Sequence, residues 1–330
     1  MNLSTDYLGL KLKNPLMPGA SPMSGNLDMA RRLEDAGAAA IVMSSLFEEQ
    51  VVLAERKHIP HAEMPSVYFG EPEIQSLQEN DFPLSPDEYL KHVARLKGAL
   101  GIPVIASMNG VSPGNWIDYA RGIEQAGADA LELNFYEIST DGINSAVDIE
   151  VQAIEMVETI THSVKIPVAV KLSPFFSSLP HFASNLVSAG ASGLVFFNRF
   201  YQADINIEEM EAQPALHFSE PGELLLRLRW LAIVSATVNT SYAASGGVHN
   251  ATSAIKAIMA GAHAVQLVSI LIKRGPEFLQ TILHEMEDWC GRHGYDSLSQ
   301  IRAAMNLGKT SNPSAFERTG YIRTLQGCQV

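Results

Sequence analysis

The chain repeats one short pattern four times: a helix-like stretch, an Ala-Gly-Ala turn or its equivalent, and then an apolar run. The copies read EDAGAAAIVM, EQAGADALEL, VSAGASGLVF and IMAGAHAVQL. The glycine of each copy can adopt the left-handed conformation that ends a helix. The apolar run that follows needs no polar alternation if both faces of a strand are covered. The pattern therefore predicts buried parallel strands, each of which follows a helix.

A second kind of strand start alternates with the first along the chain. GIPVIAS and KIPVAVK place Pro103 and Pro167 at the beginning of an apolar run, where a missing N–H does least harm. NPLMPGAS near the start and TSYAASGG near residue 243 complete the series. The predicted strands cover about residues 15–20, 39–44, 103–107, 129–134, 167–171, 192–197, 241–245 and 263–267.

Helical patterns such as NLDMARRLEDA and NATSAIKAIMA separate these strands. Alternating strand–helix units in this number predict an α/β fold of the (β/α)8 TIM barrel type. An open doubly wound sheet is the alternative, because such repeats also permit it. The even number of strands and the length of 330 residues favour the barrel, which we predict to span residues 1–305.

Two connections are longer than a barrel needs: residues 46–85 after the second strand and residues 198–221 after the sixth. Insertions at the carboxyl ends of barrel strands commonly form lids and pocket walls. We therefore expect both to cover a substrate, and surface decoration is the alternative. Residues 306–330 form a C-terminal tail, predicted to pack on the barrel or on a partner, with a helix in AFERTGYIRTL.

Charge and cysteine content limit the class of protein. The formal net charge of −13 argues against nucleic acid and anionic membranes, which both attract basic surfaces. No apolar run approaches the ~18 residues of a membrane span. Cys290 and Cys328 do not form a disulfide framework, and MNLSTDYLGLKLKNP has no apolar leader segment. A cytoplasmic protein is therefore expected.

Polar side chains recur where the predicted strands end, which is where barrels of this type hold their sites. Small hydroxyls, amides and one lysine predominate among these residues. They are Ala20, Ser21, Ser44, Ser45, Ser107, Asn109, Asn134, Lys171, Asn198, Ser245, Gly246, Gly247, Gln266 and Ser269. Such a ring predicts a hydrogen-bonding cradle for a large planar polar ligand. The ten histidines show no metal-ligand spacing, so no metal site is predicted.

The loop SGGVHNATSAIKA places Gly246 and Gly247 between a strand and a helix. Glycines let backbone N–H groups approach an anion closely, and a helix start adds positive potential. The loops after the seventh and eighth strands form the usual phosphate site of such barrels. Val268 and Ser269 would supply its second half, so we predict a phosphate site here. A plain tight turn is the alternative.

Lys171 lies near the end of the apolar strand VAVKL, and we expect its side chain to point into the barrel mouth. Charged groups are rarely buried unless they are paired or functional. One interpretation is an ion pair with Glu132 on the neighbouring strand. The other is a cation that stabilises negative charge on a cofactor, and the two are compatible.

The motifs NPLMPGAS, SMNG, ELN, VKLSPFF, SGGV and AVQLVS, in this order, resemble the class 1 dihydroorotate dehydrogenase family of FMN-binding barrels. The resemblance implies FMN in the barrel mouth and covers most of the chain. The implied FMN-binding residues are Ala20, Ser21, Ser44, Asn134, Lys171, Asn198, Gly246, Gly247, Val268 and Ser269. The implied substrate contacts are Asn109, Ser139 and Asn198. Lys171 would lie near the N1/O2 side of the flavin, where a cation favours the anionic reduced ring.

Several positions depart from the family pattern. The catalytic cysteine of the motif Asn-x-Ser-Cys-Pro-Asn is Glu137 here, and the final asparagine is Ser139. The family lysine after the second strand is Met43, and the Asn-Ser-Met-Gly substrate loop has no counterpart in SVYFGEPEIQS. Glu137 is the candidate catalytic base, provided that desolvation raises its pKa. The alternative is a loop carboxylate that remains after the original chemistry was lost.

Three functions follow from these observations. The first is an FMN-dependent oxidoreductase acting on dihydroorotate, in pyrimidine biosynthesis, or on a related small planar anionic ring. The second is a catalytically silent flavoprotein or electron-transfer partner subunit, and the third is a flavin-free phosphate-binding lyase or synthase. The family resemblance also implies a homodimer. Any iron–sulfur cluster must come from a redox partner subunit, because this chain lacks the cysteines for one.

Overall fold

The structure is a computed structural model that describes residues 1–56, 81–110, 116–140, 142–199, 202–215 and 217–327. The strands are β1 (Thr5–Tyr7), β2 (Leu10–Leu12), β3 (Leu16–Pro18), β4 (Ile41–Phe47), β5 (Val104–Asn109), β6 (Ala130–Asn134), β7 (Val168–Leu172), β8 (Gly193–Phe196), β9 (Gln202–Asn206), β10 (Glu211–Ala215), β11 (Ser241–Ser245) and β12 (Ala264–Leu267). The helices are α1 (Leu27–Asp35), α2 (Glu48–Arg56), α3 (Pro86–Ala99), α4 (Trp116–Gln125), α5 (Ala146–Ser163), α6 (Leu179–Ser188), α7 (Leu224–Val234), α8 (Ala251–Ala260), α9 (Ser269–Arg274), α10 (Phe278–Arg292) and α11 (Arg318–Gly327).

Eight of the strands form one parallel sheet in the order β3-β12-β11-β8-β7-β6-β5-β4. The sheet curls until its ends meet, where the Ala39 N–H next to β4 donates to the Leu16 carbonyl of β3 at 2.9 Å. This nearly closed arrangement confirms the predicted (β/α)8 barrel over the open doubly wound sheet. All eight predicted strands are present. The boundaries differ most in β4, which extends to Phe47 because a register shift lengthens it.

The lower half of the barrel interior is apolar. Met17, Val42, Ile105 and Val195 are among the buried side chains that fill it. The β1–β2 hairpin closes the amino-terminal end, and the Leu8 N–H between its strands donates to Ser241 Oγ at 3.0 Å. Because this end is filled, polar groups can gather only where the strands finish.

The insertions and the tail lie outside the barrel units. The insertion after β4 begins with α2, and its residues 57–80 lie outside the described part of the chain. The insertion after β8 contains the exposed antiparallel hairpin β9–β10. In the tail, Phe316 packs against the core and the predicted helix begins at Arg318. The division into a barrel of residues 1–305 and a separate tail stays a prediction.

Cys290 is buried on α10, whereas Cys328 lies beyond the last described residue. Within the described ranges, no helix combines the length and the apolar character needed to cross a bilayer.

Candidate active site at the barrel mouth

The barrel interior becomes polar near the carboxyl ends of three strands. Lys171 of β7 and Glu132 of β6 form an ion pair, with Nζ 3.2 Å from Oε1. Gln266 of β12 joins them, since its Oε1 accepts from Lys171 Nζ at 3.1 Å and its Nε2 donates to Glu132 Oε2. The Lys171 and Glu132 side chains are only 6% and 1% exposed. The ion pair predicted from the sequence is therefore confirmed, and Gln266 extends it into a three-membered cluster.

This cluster leaves Lys171 able to contact a ligand. An ammonium carries three N–H donors, and the described residues supply acceptors for two of them, on Glu132 and Gln266. The carboxylate offsets the cost of placing a cation in the interior, which is large for an unpaired charge. Lys171 is thus fixed at the end of β7 with one N–H available.

A second cluster of polar groups lies beside the first. Asn134 Nδ2 donates to Ser107 Oγ at 2.7 Å, and Ser107 Oγ is 2.8 Å from Ser45 Oγ. Asn134 pairs in register with Lys171 on one side and with Asn109 on the other. The geometry therefore brings three of the predicted site residues, Asn109, Asn134 and Lys171, to one level of the barrel.

The register shift in β4 explains why two serines reach this level together. A β-bulge leaves backbone groups without ladder partners, and the Tyr89 hydroxyl of α3 takes their place on β5. It accepts from the Ser107 N–H and donates to the Ser107 carbonyl, both at 2.9 Å. The Ser44 N–H donates to Ser24 Oγ at 2.8 Å. Tyr89 and Ser24 are supporting residues that sequence reasoning missed, because neither lies at a strand end.

The residues after β3 approach the end of β12. Gly19 lies so close to β12 that an added Cβ would be 3.0 Å from Val268 Cγ2. The following residue, Ala20, is half-buried, and Ser21 is buried. Ser21 Oγ has no hydrogen-bond partner in the described structure. A buried hydroxyl without a partner is rare in proteins, so Ser21 Oγ marks a position where a bound polar group would be stabilised.

The loop after β11 presents several free backbone donors. Gly246 and Gly247 have φ angles of +93° and +77°, a conformation that glycine adopts without strain. Among the described residues, no acceptor lies within hydrogen-bonding geometry of the Gly246, Gly247 or Val248 N–H. Gly247 and Val248 are buried. Buried N–H groups are nearly always paired, so this loop fits an anion such as a phosphate.

The end of β12 lies next to that loop, since Ser245 and Gln266 pair in register. Val268 and Ser269 follow directly, so the predicted phosphate residues do come together. Ser269 Oγ accepts from both the N–H and the hydroxyl of Ser219, each at 2.9 Å. Ser219 was not predicted, because it follows the irregular β9–β10 insertion and belongs to no periodic pattern.

His249 lies in the same region. Its Nε2 is buried without a partner in the described structure, and burial lowers its pKa below the ordinary value. The neutral imidazole therefore predominates at neutral pH. A neutral histidine supplies a donor without adding charge, which is compatible with an anion held by the neighbouring N–H groups.

A buried arginine supports the loop from behind. Arg227 Nε donates to the Ser245 carbonyl at 3.0 Å, and its Nη1 donates to the Glu223 carbonyl at 2.9 Å. Glu223 also pairs with Arg199, whose Nη1 is 2.8 Å from Oε1. Burial alone would raise the pKa of Glu223, but hydrogen bonds from Arg199 and the Glu220 N–H lower it below the usual value. Arg227 was not predicted as a site residue, although an arginine within the apolar run ELLLRLRW indicates a buried charge.

Glu137 and Ser139 occupy a separate place above β6. They line a cavity of about 450 Å³ together with aromatic side chains that include Phe135, Phe175 and Phe176. Lys171, the other predicted catalytic residue, lies in the cluster with Glu132 and Gln266. Asn198 follows β8, where its N–H donates to the Leu172 carbonyl at 2.8 Å.

These groups fit an FMN molecule in the mouth. The N–H groups of residues 246–248 suit the phosphate, while Ser21 Oγ, Asn134 and the available Lys171 N–H suit the polar edge of the ring. The described residues contain no group of three or more His, Cys, Asp or Glu that could hold a metal ion.

Comparison with known proteins agrees with this arrangement. A family model described as dihydroorotate dehydrogenase matches residues 84–289. A putative dihydroorotate dehydrogenase A (fumarate) of Aeropyrum pernix is 28% identical over 306 residues, which cover 91% of this chain and 96% of that protein. The catalytic subunit of dihydroorotate dehydrogenase B (NAD(+)) of Methanothermobacter thermautotrophicus is 24% identical, with 91% and 97% covered. The corresponding subunit of Methanosarcina mazei is 27% identical, with 89% and 92% covered.

Proposed function

Since the chain belongs to the dihydroorotate dehydrogenase family, we propose that it is an FMN-dependent oxidoreductase that removes two hydrogens from a small planar ring substrate. The observation that carries this proposal is the buried Lys171–Glu132–Gln266 cluster, beside a loop whose consecutive N–H groups lack acceptors. The cluster suits a polar ring and the loop suits an anion, and FMN contains both a polar ring and a phosphate.

FMN, when bound, would supply the hydride acceptor. The residues of this chain would hold and orient it. Lys171 would donate its remaining N–H to a ring oxygen and offset negative charge there, while Glu132 keeps the ammonium in place. Asn134, itself held by Ser107 and Met108, would present its side-chain oxygen to the ring. The free N–H groups after β11 and the Ser269 region would hold the phosphate.

Glu137 is the proposed catalytic base. Oxidation of a ring C–C bond needs one proton removed while a hydride leaves, and Glu137 lines the cavity next to the mouth. Its carboxylate would take the proton from a substrate carbon. The buried Phe135 side chain lines the same cavity and would limit water on that side. Asn109, Ser139 and Asn198 are the proposed substrate contacts.

The substrate differs from dihydroorotate in this proposal. The described lining of the Glu137 cavity contains a second carboxylate, Glu150, and no Lys, Arg or His side chain. A carboxylate-bearing ring such as dihydroorotate would meet no cation among these described lining residues. We therefore propose a planar ring without a carboxylate in place of the planar anionic substrate expected from the sequence.

The first test is the visible spectrum of the purified full-length protein. We expect flavin absorbance, either on isolation or after reconstitution with FMN. Anaerobic titration with dihydroorotate and with the uncharged ring dihydrouracil should bleach the flavin more readily with the uncharged ring. A colourless protein that cannot be reconstituted would contradict the proposal and would favour the flavin-free phosphate-binding lyase or synthase.

The second test concerns the base. Glu137→Gln should slow flavin reduction by the preferred substrate about 10²–10⁴-fold, whereas Glu150→Gln in the same cavity should have a small effect. Retained bleaching in Glu137→Gln would exclude Glu137 as the base. Normal FMN binding with no bleaching by any ring tested would favour the silent flavoprotein or electron-transfer subunit. A homodimer and a redox partner subunit remain part of the proposal, and sedimentation of the FMN-loaded protein tests the former.

A further inference from the structure

A second cavity lies at the amino-terminal end of the barrel, opposite the mouth. Its volume is about 770 Å³, and its walls come from the β1–β2 hairpin, the start of β11 and residues 297–302. Ligand pockets typically have volumes of ~300–1,000 Å³. The FMN-dependent activity proposed above makes no use of this end of the barrel.

Arg302 is the main charged group of this cavity. It is half-buried, and no carboxylate or carbonyl in the described residues pairs with its guanidinium. The other charged side chains of the lining, Lys11 and Asp6, pair with each other at 2.6 Å. Their charges cancel, so the cavity keeps the single positive charge of Arg302. This is notable in a chain whose formal net charge is −13.

His263 adds a neutral donor beside Arg302. Its Nδ1 accepts the Tyr242 N–H at 3.1 Å, which places the proton of the neutral ring on Nε2. Burial, and then the charge of Arg302, lower the pKa of His263 to about 4. The ring is therefore uncharged at neutral pH and offers an N–H to the cavity.

Hydroxyl groups complete the lining. Ser4, Thr5, Ser192, Thr240 and Ser299 all line the cavity, and a hydroxyl can rotate to donate a hydrogen bond. A guanidinium, an imidazole N–H and several hydroxyls together form a set of donors. The matching ligand is an acceptor-rich anion, because a guanidinium fork suits the paired oxygens of a phosphate or carboxylate.

We propose that this amino-terminal cavity binds a small phosphate- or carboxylate-bearing molecule, with Arg302 and His263 as its principal contacts. The site is distinct from the FMN site, since the apolar lower layer of the barrel lies between them. Its ligand would be a small molecule of at most nucleotide size, as the cavity volume allows.

The test is calorimetric titration of the full-length protein with inorganic phosphate, pyrophosphate and citrate, with and without saturating FMN. We expect saturable binding of at least one probe that FMN does not displace. The tighter of the phosphate and carboxylate probes identifies the head group. Arg302→Gln should weaken this binding at least ~10-fold, since a charge-assisted pair is lost. Arg229→Gln removes the same charge from an exposed position on α7 outside the cavity and should leave affinity unchanged.

A second readout does not depend on any variant's stability. Proton NMR should show the His263 pKa rising by at least ~1 unit when the probe binds, because a nearby anion favours the charged imidazole. His263→Gln assigns the signal, and the other titratable lining groups are Asp6, Lys11 and Arg302. Three results would overturn the proposal: no saturable binding at roughly 10 mM probe, equal affinity in Arg302→Gln, or complete displacement by FMN. A protein that binds no FMN leaves this test intact.

Discussion

Removal of Lys171 should destabilise the protein even without flavin, and removal of Glu132 as well should reverse most of that loss. In Lys171→Met the Glu132 carboxylate stays buried, and among the described residues the Gln266 amide still donates to it. In the double variant Lys171→Met/Glu132→Gln no buried charge remains at this position.

The magnitude follows from the distance between the two charges. At 3.2 Å and an effective dielectric of about 20, the Coulomb attraction is about 5 kcal/mol. Breaking a buried pair from one side typically costs about 3–5 kcal/mol. We expect Lys171→Met to lose about this much free energy of unfolding. We expect the double variant to lie within about 2 kcal/mol of the wild type, because replacing both charges is often nearly neutral.

The measurement is urea denaturation of the flavin-free protein, followed by circular dichroism. The affinity for FMN gives an independent comparison. The double variant regains stability but still lacks the Lys171 cation, so we expect it to bind FMN as weakly as the single variant does. Two results would refute the reasoning. One is a cost below about 1 kcal/mol for Lys171→Met, and the other is a double variant no more stable than the single one.

Three further outcomes are expected. Tyr89→Phe should lower the free energy of unfolding by about 1–3 kcal/mol, because two buried backbone groups lose their partner, while Tyr321→Phe at an exposed position changes it little; equal effects would contradict this. Gly247→Ala should be more destabilising than Gly294→Ala, because both glycines have positive φ angles but only the former has backbone 2.4 Å from an added Cβ. Equal losses on denaturation would show that the contact has no cost. Burial lowers the pKa of His263 from 6.5 to about 4, so between these pH values the unfolded chain binds a proton that the folded chain does not. The free energy of unfolding should therefore be unaffected by His263 above pH 6.5 and should fall by on the order of 3 kcal/mol toward pH 4. His263→Gln should flatten that part of the pH profile, and an unchanged slope would exclude this origin.

The strands of the barrel were predictable because their signals are local. Glycine ends a helix, proline begins a strand and an apolar run fills it, so Gly37, Pro103 and similar residues located each unit within a few positions. The extension of β4 was not predictable, since it accompanies a shift in its register with β5 between Val42 and Ser45. A register shift is a tertiary event, and no short pattern in IVMSSLF indicates it.

The site was also predictable only where its contacts follow from neighbouring strands. Lys171 and Glu132 lie on adjacent strands and the same face, so their ion pair followed from strand order alone. The hydrogen bonds between Gln266 and that pair were not predictable, because they form only when the curvature of the barrel brings β12 opposite β6. Ser219 reaches Ser269 from an irregular loop, where neither periodicity nor spacing carries information. The roles of Glu137, Ser139 and the other predicted site residues stay predictions.

The β1–β2 hairpin covers the amino-terminal end of the barrel, so the barrel interior is open only at the mouth. Tyr7, Leu8 and Leu12 are almost completely buried beneath the interior side chains, so an apolar layer separates the two faces along the axis. Ligands at the two faces would therefore arrive and depart through separate openings. Strands β8, β11 and β12 run from the amino-terminal cavity to the mouth, so an influence of one ligand on the other can pass along them.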